Sequence, residues 1–434
     1  MAAAADKRQQ VTIAVIGHVD HGKSTLTGQL LYKTGQINER TLEMTAKQAA
    51  DIGKSSFKFA FLVDKTKAER NRGLSVDFHI NPLATNKFAF NLIDTPGHAD
   101  FFKNMITGTA MADVAIVVVG ACIGEFESAA ARTGSLREKI SAAKTLGVEQ
   151  FIVCVNKIDA VEYNFDRYTE IKKEMGKQMK KLGVHIKHVP FIPTSAYHGE
   201  NINIKSSKTP WYTGGTLLDE LNKLEAPKIA VDKPLRIPIS NVYNISGVGT
   251  VAVGKIESGI LKPGMTLRFA EVGLAGKIFS IETFHRKVGE AKAGDYVGFH
   301  IDHVKATQLT RGFVASDANK DPARRVQRFR ARLYVTAGFT IHPGYMPVMH
   351  CHTSHVTCKI TTFYEKSNQS KRTQEKNPKT LLDGDMAIVE IVPQKPLSLE
   401  EYAKNRQLGR FILREGKSMV GVGMVEGVEF ERDA

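Results

Sequence analysis

An α/β domain with a doubly wound, mostly parallel sheet, followed by two all-β barrels, is the architecture that this chain of 434 residues predicts. Three observations carry it. The apolar run Thr12-Ile13-Ala14-Val15-Ile16 leads through a glycine-bounded loop into the helical Thr25-Leu26-Thr27-Gly28-Gln29-Leu30-Leu31. Strand and helix patterns then alternate to about Leu224. Beyond it, Ala226-Pro227-Lys228 and Asp232-Lys233-Pro234 break the chain, and short strands between glycine turns take over. These shifts predict domains over 1–226, 234–327 and 328–434.

The loop after the first strand reads Gly17-His18-Val19-Asp20-His21-Gly22-Lys23-Ser24. Glycines at both ends let the backbone curl until its N–H groups face a polyphosphate. In this pattern Lys23 reaches the β- and γ-phosphates, the Ser24 hydroxyl ligates Mg2+, and Thr25 opens the helix whose N-terminus faces the anion.

Asn156-Lys157-Ile158-Asp159 follows the apolar run Phe151-Ile152-Val153-Cys154-Val155, at the carboxyl end of a parallel strand. A carboxylate there accepts from guanine N1–H and the 2-amino group. Adenine lacks that amino group and would leave Asp159 unpaired, so the predicted nucleotide is GTP or GDP. Asn156 is expected to bridge the base and the phosphate loop, with the Lys157 stem over the ring. Thr194-Ser195-Ala196, after the strand-like Val189-Pro190-Phe191-Ile192-Pro193, offers backbone N–H groups to guanine O6, and Ser195, Ala196 and Tyr197 complete the predicted base site.

A second strand ends in Asp94-Thr95-Pro96-Gly97-His98. Asp94 is placed to hold Mg2+ through a water, and the Gly97 N–H to bond the γ-phosphate only while it is present. His98 stands where a water-positioning residue is needed. Upstream, Glu69-Arg70-Asn71-Arg72-Gly73-Leu74-Ser75-Val76-Asp77 resembles the first switch of translational GTPases, with Ser75 as the other protein ligand of Mg2+.

With these motifs and Phe102-Lys103-Asn104-Met105-Ile106-Thr107-Gly108-Thr109, the chain resembles the elongation factor 1-alpha family, counterpart of bacterial elongation factor Tu. The likeness runs on through Val248-Gly249-Thr250-Val251, Gly259 to Met265, Cys351-His352-Thr353-Ser354-His355 and Val392 to Leu397. A charged, helix-prone insertion, Thr34 to Ala68, distinguishes it from elongation factor Tu. The resemblance implies a P-loop GTPase that hydrolyses GTP to GDP and phosphate on the ribosome, after carrying aminoacyl-tRNA to the A site. It places Val19 and Leu74 as the apolar pair flanking catalytic His98. It also places Lys103, Arg311, Glu282 and Phe284 at the tRNA end. A guanine nucleotide exchange factor of the elongation factor 1-beta type, a monomeric state and a cytoplasmic location follow from the same likeness.

Composition is consistent with that picture. Sixty basic against 45 acidic residues give a net charge of +15, which suits a polyanionic partner. Lys172, Lys173, Lys177, Lys180 and Lys181 form one cluster, and Arg324, Arg325, Arg328, Arg330 and Arg332 another, both read as RNA-facing. No membrane segment or signal peptide is expected from the polar start Met1 to Arg8. Four cysteines suit a reducing compartment. Cys351, His352, His355 and Cys358 have zinc-like spacing, but Val348 to Val356 reads as one strand, whose alternation scatters them over both faces.

Three departures stand out. The family's Gly-Ile-Thr-Ile is Gly73-Leu74-Ser75-Val76, which frees the hydroxyl's rotamer and is expected to loosen Mg2+ or the switch. Its Gly-Asp-Asn-Val-Gly is Gly294-Asp295-Tyr296-Val297-Gly298, which removes an amide thought to hold the amino acid's α-amino group. His21 is the residue of elongation factor Tu. The alternatives are a termination or ribosome-rescue GTPase, an adenylyltransferase-associated GTPase, and an actin-binding module.

Overall fold

Four strands of the first unit are buried almost end to end, the pattern of a sheet covered on both faces. They are β1 (Gln10–Gly17), β3 (Ala89–Asp94), β4 (Val114–Gly120) and β5 (Gln150–Asn156). With β2 (His79–Ala84) and β6 (Phe191–Pro193) they form a six-stranded sheet in the order β2-β3-β1-β4-β5-β6. Only β2 runs antiparallel; the other pairings are parallel. This computed structural model describes residues 8–432 except 65, 132–133, 285, 337 and 369–372.

The parallel register brings the carboxyl ends together: Val15 pairs with Asp94, Gly17 with Val118, Gly120 with Asn156, and Val155 with Pro193. The chain leaves β1 toward β3 on one side and β4 on the other, so the first loop sits where the winding reverses. Nine helices are described: α1 (Lys23–Lys33), α2 (Glu39–Asp51), α3 (Ala60–Val63), α4 (Lys67–Arg72), α5 (Phe102–Ala110), α6 (Glu125–Ala130), α7 (Ser135–Thr145), α8 (Phe165–Lys181) and α9 (Leu217–Lys223). In α8, Tyr168, Ile171, Met175 and Met179 form the buried stripe, and Asn164 caps the Arg167 N–H at 2.8 Å. The lysines at 172, 173, 177, 180 and 181 lie on its exposed side.

The segment between α1 and β2 folds back on α1. Gly28 makes that possible: a Cβ there would lie 3.3 Å from the Phe59 Cα and closer still to its carbonyl. Thr66 and Glu69 cap α4 reciprocally, and Gly73 ends it at φ 71°.

Contacts divide the chain into this unit, residues 6–144 and 148–227, and a second holding 228–434. Two antiparallel barrels occupy the second unit. The first closes because Thr266–Phe269 pairs with both Leu274–Thr283 and Val314–Asp317, enclosing Ile237, Leu267, Phe269 and Phe299. The second closes because Val348–Cys351 pairs with both Ser354–Asn368 and Arg410–Glu415. Closure leaves neither main sheet a bare long edge. Buried Arg236 joins the barrels, donating to Glu400 and, at 2.9 Å, to the Asp321 carbonyl.

Two sequence readings change here. Val348 to Val356 is not one strand but a hairpin, with His352-Thr353 as its two-residue turn and His350 opposite His355. His352 takes φ 41°, the conformation such turns demand. Its Nε2–H donates to the Ser398 carbonyl at 3.2 Å, and Cys351 Sγ points to the Leu408 carbonyl at 3.5 Å. Among the described residues no group of three or more His, Cys, Asp or Glu converges as a metal site. The arginine cluster is also not an open basic face. Arg325, Arg328 and Arg332 pair with Glu431, Glu429 and Glu426 at 2.7 Å each, while Arg324 and Arg330 lie over Phe430 and Tyr364. Within Val326–Val335, which pairs with Ser418–Phe430, Arg328 stands opposite Glu429 and Arg332 reaches Glu426 on the same neighbouring strand.

Candidate functional site

A cleft of about 430 Å³ opens at the carboxyl edge of the sheet. Its lining includes residues of all the predicted motifs: Val19, Asp20, Gly22, Lys23, Ser24 and Thr25; Leu74 and Ser75; Gly97 and His98; Asn156, Lys157 and Asp159; Ala196 and Tyr197. Gly17, His18, His21, Asp94 and Ser195 are outside that lining; the His18 and His21 carbonyls accept from the lining residues Lys23 and Asn156, and Asp94 accepts from Ser24, also in the lining.

The phosphate loop is shaped by its backbone. Asp20 has φ 61° and Gly22 φ 85°, and a Cβ on Gly22 would collide with the Asn156 amide. Lys23 is buried, its Nζ donating to the His18 carbonyl at 2.7 Å. Burial brings its pKa down to about 8, against the pull of Asp94, Asp20 and Asp64. His21 is buried and neutral: burial and Lys23 push its pKa to about 3, so Nδ1–H donates to the Val118 carbonyl at 3.2 Å. His18 Nδ1 meets Ser135 Oγ at 2.6 Å, and burial, then Lys139, lowers its pKa.

Side-chain oxygens gather beside Lys23. Ser24 Oγ donates to Asp94 Oδ2 at 2.7 Å and lies 3.1 Å from Ser75 Oγ, which reaches Asp64 Oδ1 at 3.0 Å. Asp64 was not among the residues the motifs marked. It ends α3 in the inserted segment, and packing of that segment on α1 carries it to the cleft. Burial and Asp94 raise its carboxyl to about 7, and burial also raises Asp94. Two carboxyls and two hydroxyls, all hard oxygen donors, fit Mg2+ held partly through phosphate and water.

The first-switch segment is held from below. Glu69 accepts from the Val76 N–H at 2.9 Å, Thr66 Oγ1 at 2.8 Å and His79 Nε2 at 3.1 Å. Burial alone would raise its pKa; the bonds from His79, Val76 and Thr66 outweigh it and hold the carboxyl at about 2. His98 is partly exposed, its Nδ1 accepting the Asp100 N–H at 3.2 Å. It shares the cleft wall with Val19 and Leu74.

On the base side, Asn156 Nδ2 donates to the His21 carbonyl at 2.9 Å and its Oδ1 accepts the Ala196 N–H at 2.9 Å. Lys157, at φ 61°, is held by Glu125 at 2.9 Å. Asp159 lies 3.9 Å from His198. The Thr194 and Ser195 N–H groups bond Val155 and Glu200 carbonyls at 2.8 and 3.4 Å. The N–H groups of Ala196 and Ser195 are thus already bonded within the chain, to Asn156 Oδ1 and the Glu200 carbonyl.

The residues expected at a tRNA end fall in both units. Lys103 is exposed on α5 of the first. In the first barrel, Glu282 is exposed on Leu274–Thr283, and Phe284 follows at φ 48°. Arg311 Nε donates to the Ser240 carbonyl at 2.8 Å. Tyr296 turns its hydroxyl inward to Ser240 Oγ at 2.8 Å, and burial raises its pKa.

Comparisons with known proteins agree in kind. The elongation factor Tu GTP-binding domain model matches residues 8–227, elongation factor Tu domain 2 matches 249–316, and the GTP-eEF1A C-terminal domain-like model matches 328–426. Elongation factor 1-alpha of Entamoeba histolytica is 46% identical over 425 residues, 97% of this chain and 96% of that protein. That of Tetrahymena pyriformis is 45% identical over 96% and 97% of the two chains. Among solved structures, the Saccharomyces cerevisiae Ski7 GTPase-like domain bound to GTP shares the fold at TM-score 0.79 and 18% identity. That match covers 96% of this chain and 97% of the other.

Proposed function

Because this chain belongs to the elongation factor 1-alpha family of translational GTPases, we propose that its GTP form binds aminoacyl-tRNA, delivers it to the ribosomal A site and releases it on hydrolysis. One observation supports this most: Ser24, Ser75 and Asp94, from three separate segments, meet through bonds of 2.7 and 3.1 Å beside Lys23. Such a junction lets one phosphate decide whether both switches are ordered.

In this reading Lys23 exchanges the His18 carbonyl for β- and γ-phosphate oxygens, and the backbone from Gly17 to Thr25 cradles the rest. Ser24 and Ser75 would ligate Mg2+, with Asp94 and Asp64 behind them; when bound, the ion neutralises charge developing on the phosphate oxygens. The Gly97 N–H senses the γ-phosphate. His98, between Val19 and Leu74, orients the attacking water, so catalysis is positioning plus electrostatics. Asp159 reads guanine against adenine, while Asn156, Lys157, Ser195, Ala196 and Tyr197 frame the ring.

Lys103 and Arg311 are assigned to phosphates near the tRNA 5′ end, and Glu282 and Phe284 to the terminal adenosine. An exchange factor of the elongation factor 1-beta type, a monomeric state and a cytoplasmic setting complete the reading; actin remains a separate candidate partner. The test is GTP turnover with programmed ribosomes. Rapid hydrolysis and dipeptide formation are expected with charged tRNA. Equal stimulation by uncharged tRNA would contradict delivery.

A further inference from the structure

Lys139 on α7 carries no bound-ligand motif, yet its side chain has no solvent exposure at all. Its Nζ donates to the Gly17 carbonyl at 2.9 Å, the Gly97 carbonyl at 2.5 Å and Ser135 Oγ at 3.3 Å. Burial and the nearby Lys23 lower its pKa well below the usual lysine range, and the three protein acceptors around Nζ match every proton an ammonium would carry. Ser135 Oγ in turn meets His18 Nδ1 at 2.6 Å. One buried lysine therefore ties the start of the phosphate loop to the loop that follows β3.

These two loops are pressed together at the same place. A Cβ on Gly97 would lie 2.9 Å from the Val19 nitrogen and 3.0 Å from the His18 oxygen. The carbonyl that Lys139 holds belongs to the peptide joining Gly97 to His98. Fixing that oxygen fixes the plane of the peptide, and with it the Cα from which the His98 side chain projects. Lys139 does not line the cleft, so it acts on the reaction only through what it holds. A charge enclosed without solvent is costly unless fully bonded. An apolar side chain on the buried face shared with Leu136, Ile140 and Ala143 would avoid that cost but could hold neither carbonyl.

We propose that Lys139 is a positioning residue for GTP hydrolysis, clamping the Gly97–His98 peptide against Gly17 so that His98 is in register with the attacking water. This rests on the reading of His98 as the water-positioning residue. Ground-state contacts to the nucleotide belong to other residues, so the clamp acts on the chemical step more than on binding.

The experiment uses the full chain as wild type, Lys139→Met, Lys139→Gln, His98→Ala and the Lys139→Met/His98→Ala double variant. Intrinsic hydrolysis is followed in single turnover, and GDP affinity by equilibrium titration of a fluorescent GDP. For Lys139→Met the expected result is hydrolysis slowed at least tenfold with GDP affinity within threefold. Lys139→Gln, which keeps donors on a shorter arm, should recover part of the loss and serves alone if the Met variant does not fold; there, hydrolysis at the wild-type rate overturns the proposal. In the His98→Ala background the Met substitution should cost less than threefold more. Unchanged hydrolysis in Lys139→Met, a parallel loss of GDP affinity, or an undiminished further loss on top of His98→Ala overturns the clamp. Full hydrolysis in His98→Ala alone overturns instead the reading of His98 on which the clamp rests.

Discussion

The Asn156 amide donates to the His21 main-chain carbonyl at 2.9 Å, so the loop that faces the base and the loop that faces the phosphates share a hydrogen bond. The other end of the same side chain accepts the Ala196 N–H. Asn156→Ala removes both bonds from a buried position. Two such losses cost about 1–3 kcal/mol, or roughly 5- to 150-fold in affinity. GTP and GDP should weaken alike in equilibrium titrations, since neither bond involves the γ-phosphate site. Asn156→Asp should fare worse than Ala, because it sets a carboxylate oxygen against the His21 carbonyl.

Asp159 tests base recognition. Asp159→Asn replaces one acceptor by a donor facing the guanine 2-amino group, and GTP affinity should fall at least about 100-fold. Xanthosine triphosphate, with a carbonyl at that position, should then bind the variant better than GTP does. Competition titrations give the ratio, and unchanged GTP affinity would remove Asp159 from the base site.

The hydroxyl of Ser75 bonds Asp64 at 3.0 Å and touches Ser24 at 3.1 Å. Ser75→Ala should raise the Mg2+ concentration needed for half-maximal GTP binding by about tenfold, the loss of one charge-assisted bond of roughly 1.5 kcal/mol. Ser75→Thr, which keeps the hydroxyl and narrows its rotamers, should lower it. Asp64→Asn should resemble Ser75→Ala in the same Mg2+ titration.

Glu69 supplies a pH signature. Its folded pKa of about 2 lies below the ordinary 4.5, so its contribution is fully present above about pH 4.5 and is lost as pH falls toward 2. Between wild type and Glu69→Gln, the gap in unfolding free energy should be about 2–3 kcal/mol near pH 6 and should close through that window. A gap that stays constant from pH 6 to pH 3 would exclude the Glu69 carboxylate as the cause.

Much of the site was legible because short motifs fix local geometry. Gly17 to Ser24, Asp94 to His98 and Asn156 to Asp159 each sit at a strand end, and parallel register does the rest. Asp64 was illegible for the opposite reason: it reaches the cleft only because Gly28 lets the backbone at Phe59 pack on α1. Lys139 left a faint trace, a lysine on the apolar stripe Leu136, Ile140 and Ala143, easily read as a surface cation. The arginines from 324 to 332 looked like an RNA face because the acids that pair with most of them lie about a hundred residues onward, across a strand pairing. The hairpin at His352 was hidden because no glycine or asparagine marks its turn.

The central claim is GTP-dependent carriage of aminoacyl-tRNA, and the most direct measurement is the spontaneous hydrolysis of the aminoacyl ester. Charged tRNA is incubated with the protein in GTP and in GDP, with nucleotide binding checked in both. The account predicts slower deacylation with GTP only, which would also show that Ser75 and the inward-turned Tyr296 are compatible with carriage. Equal deacylation rates in the two nucleotides would contradict it.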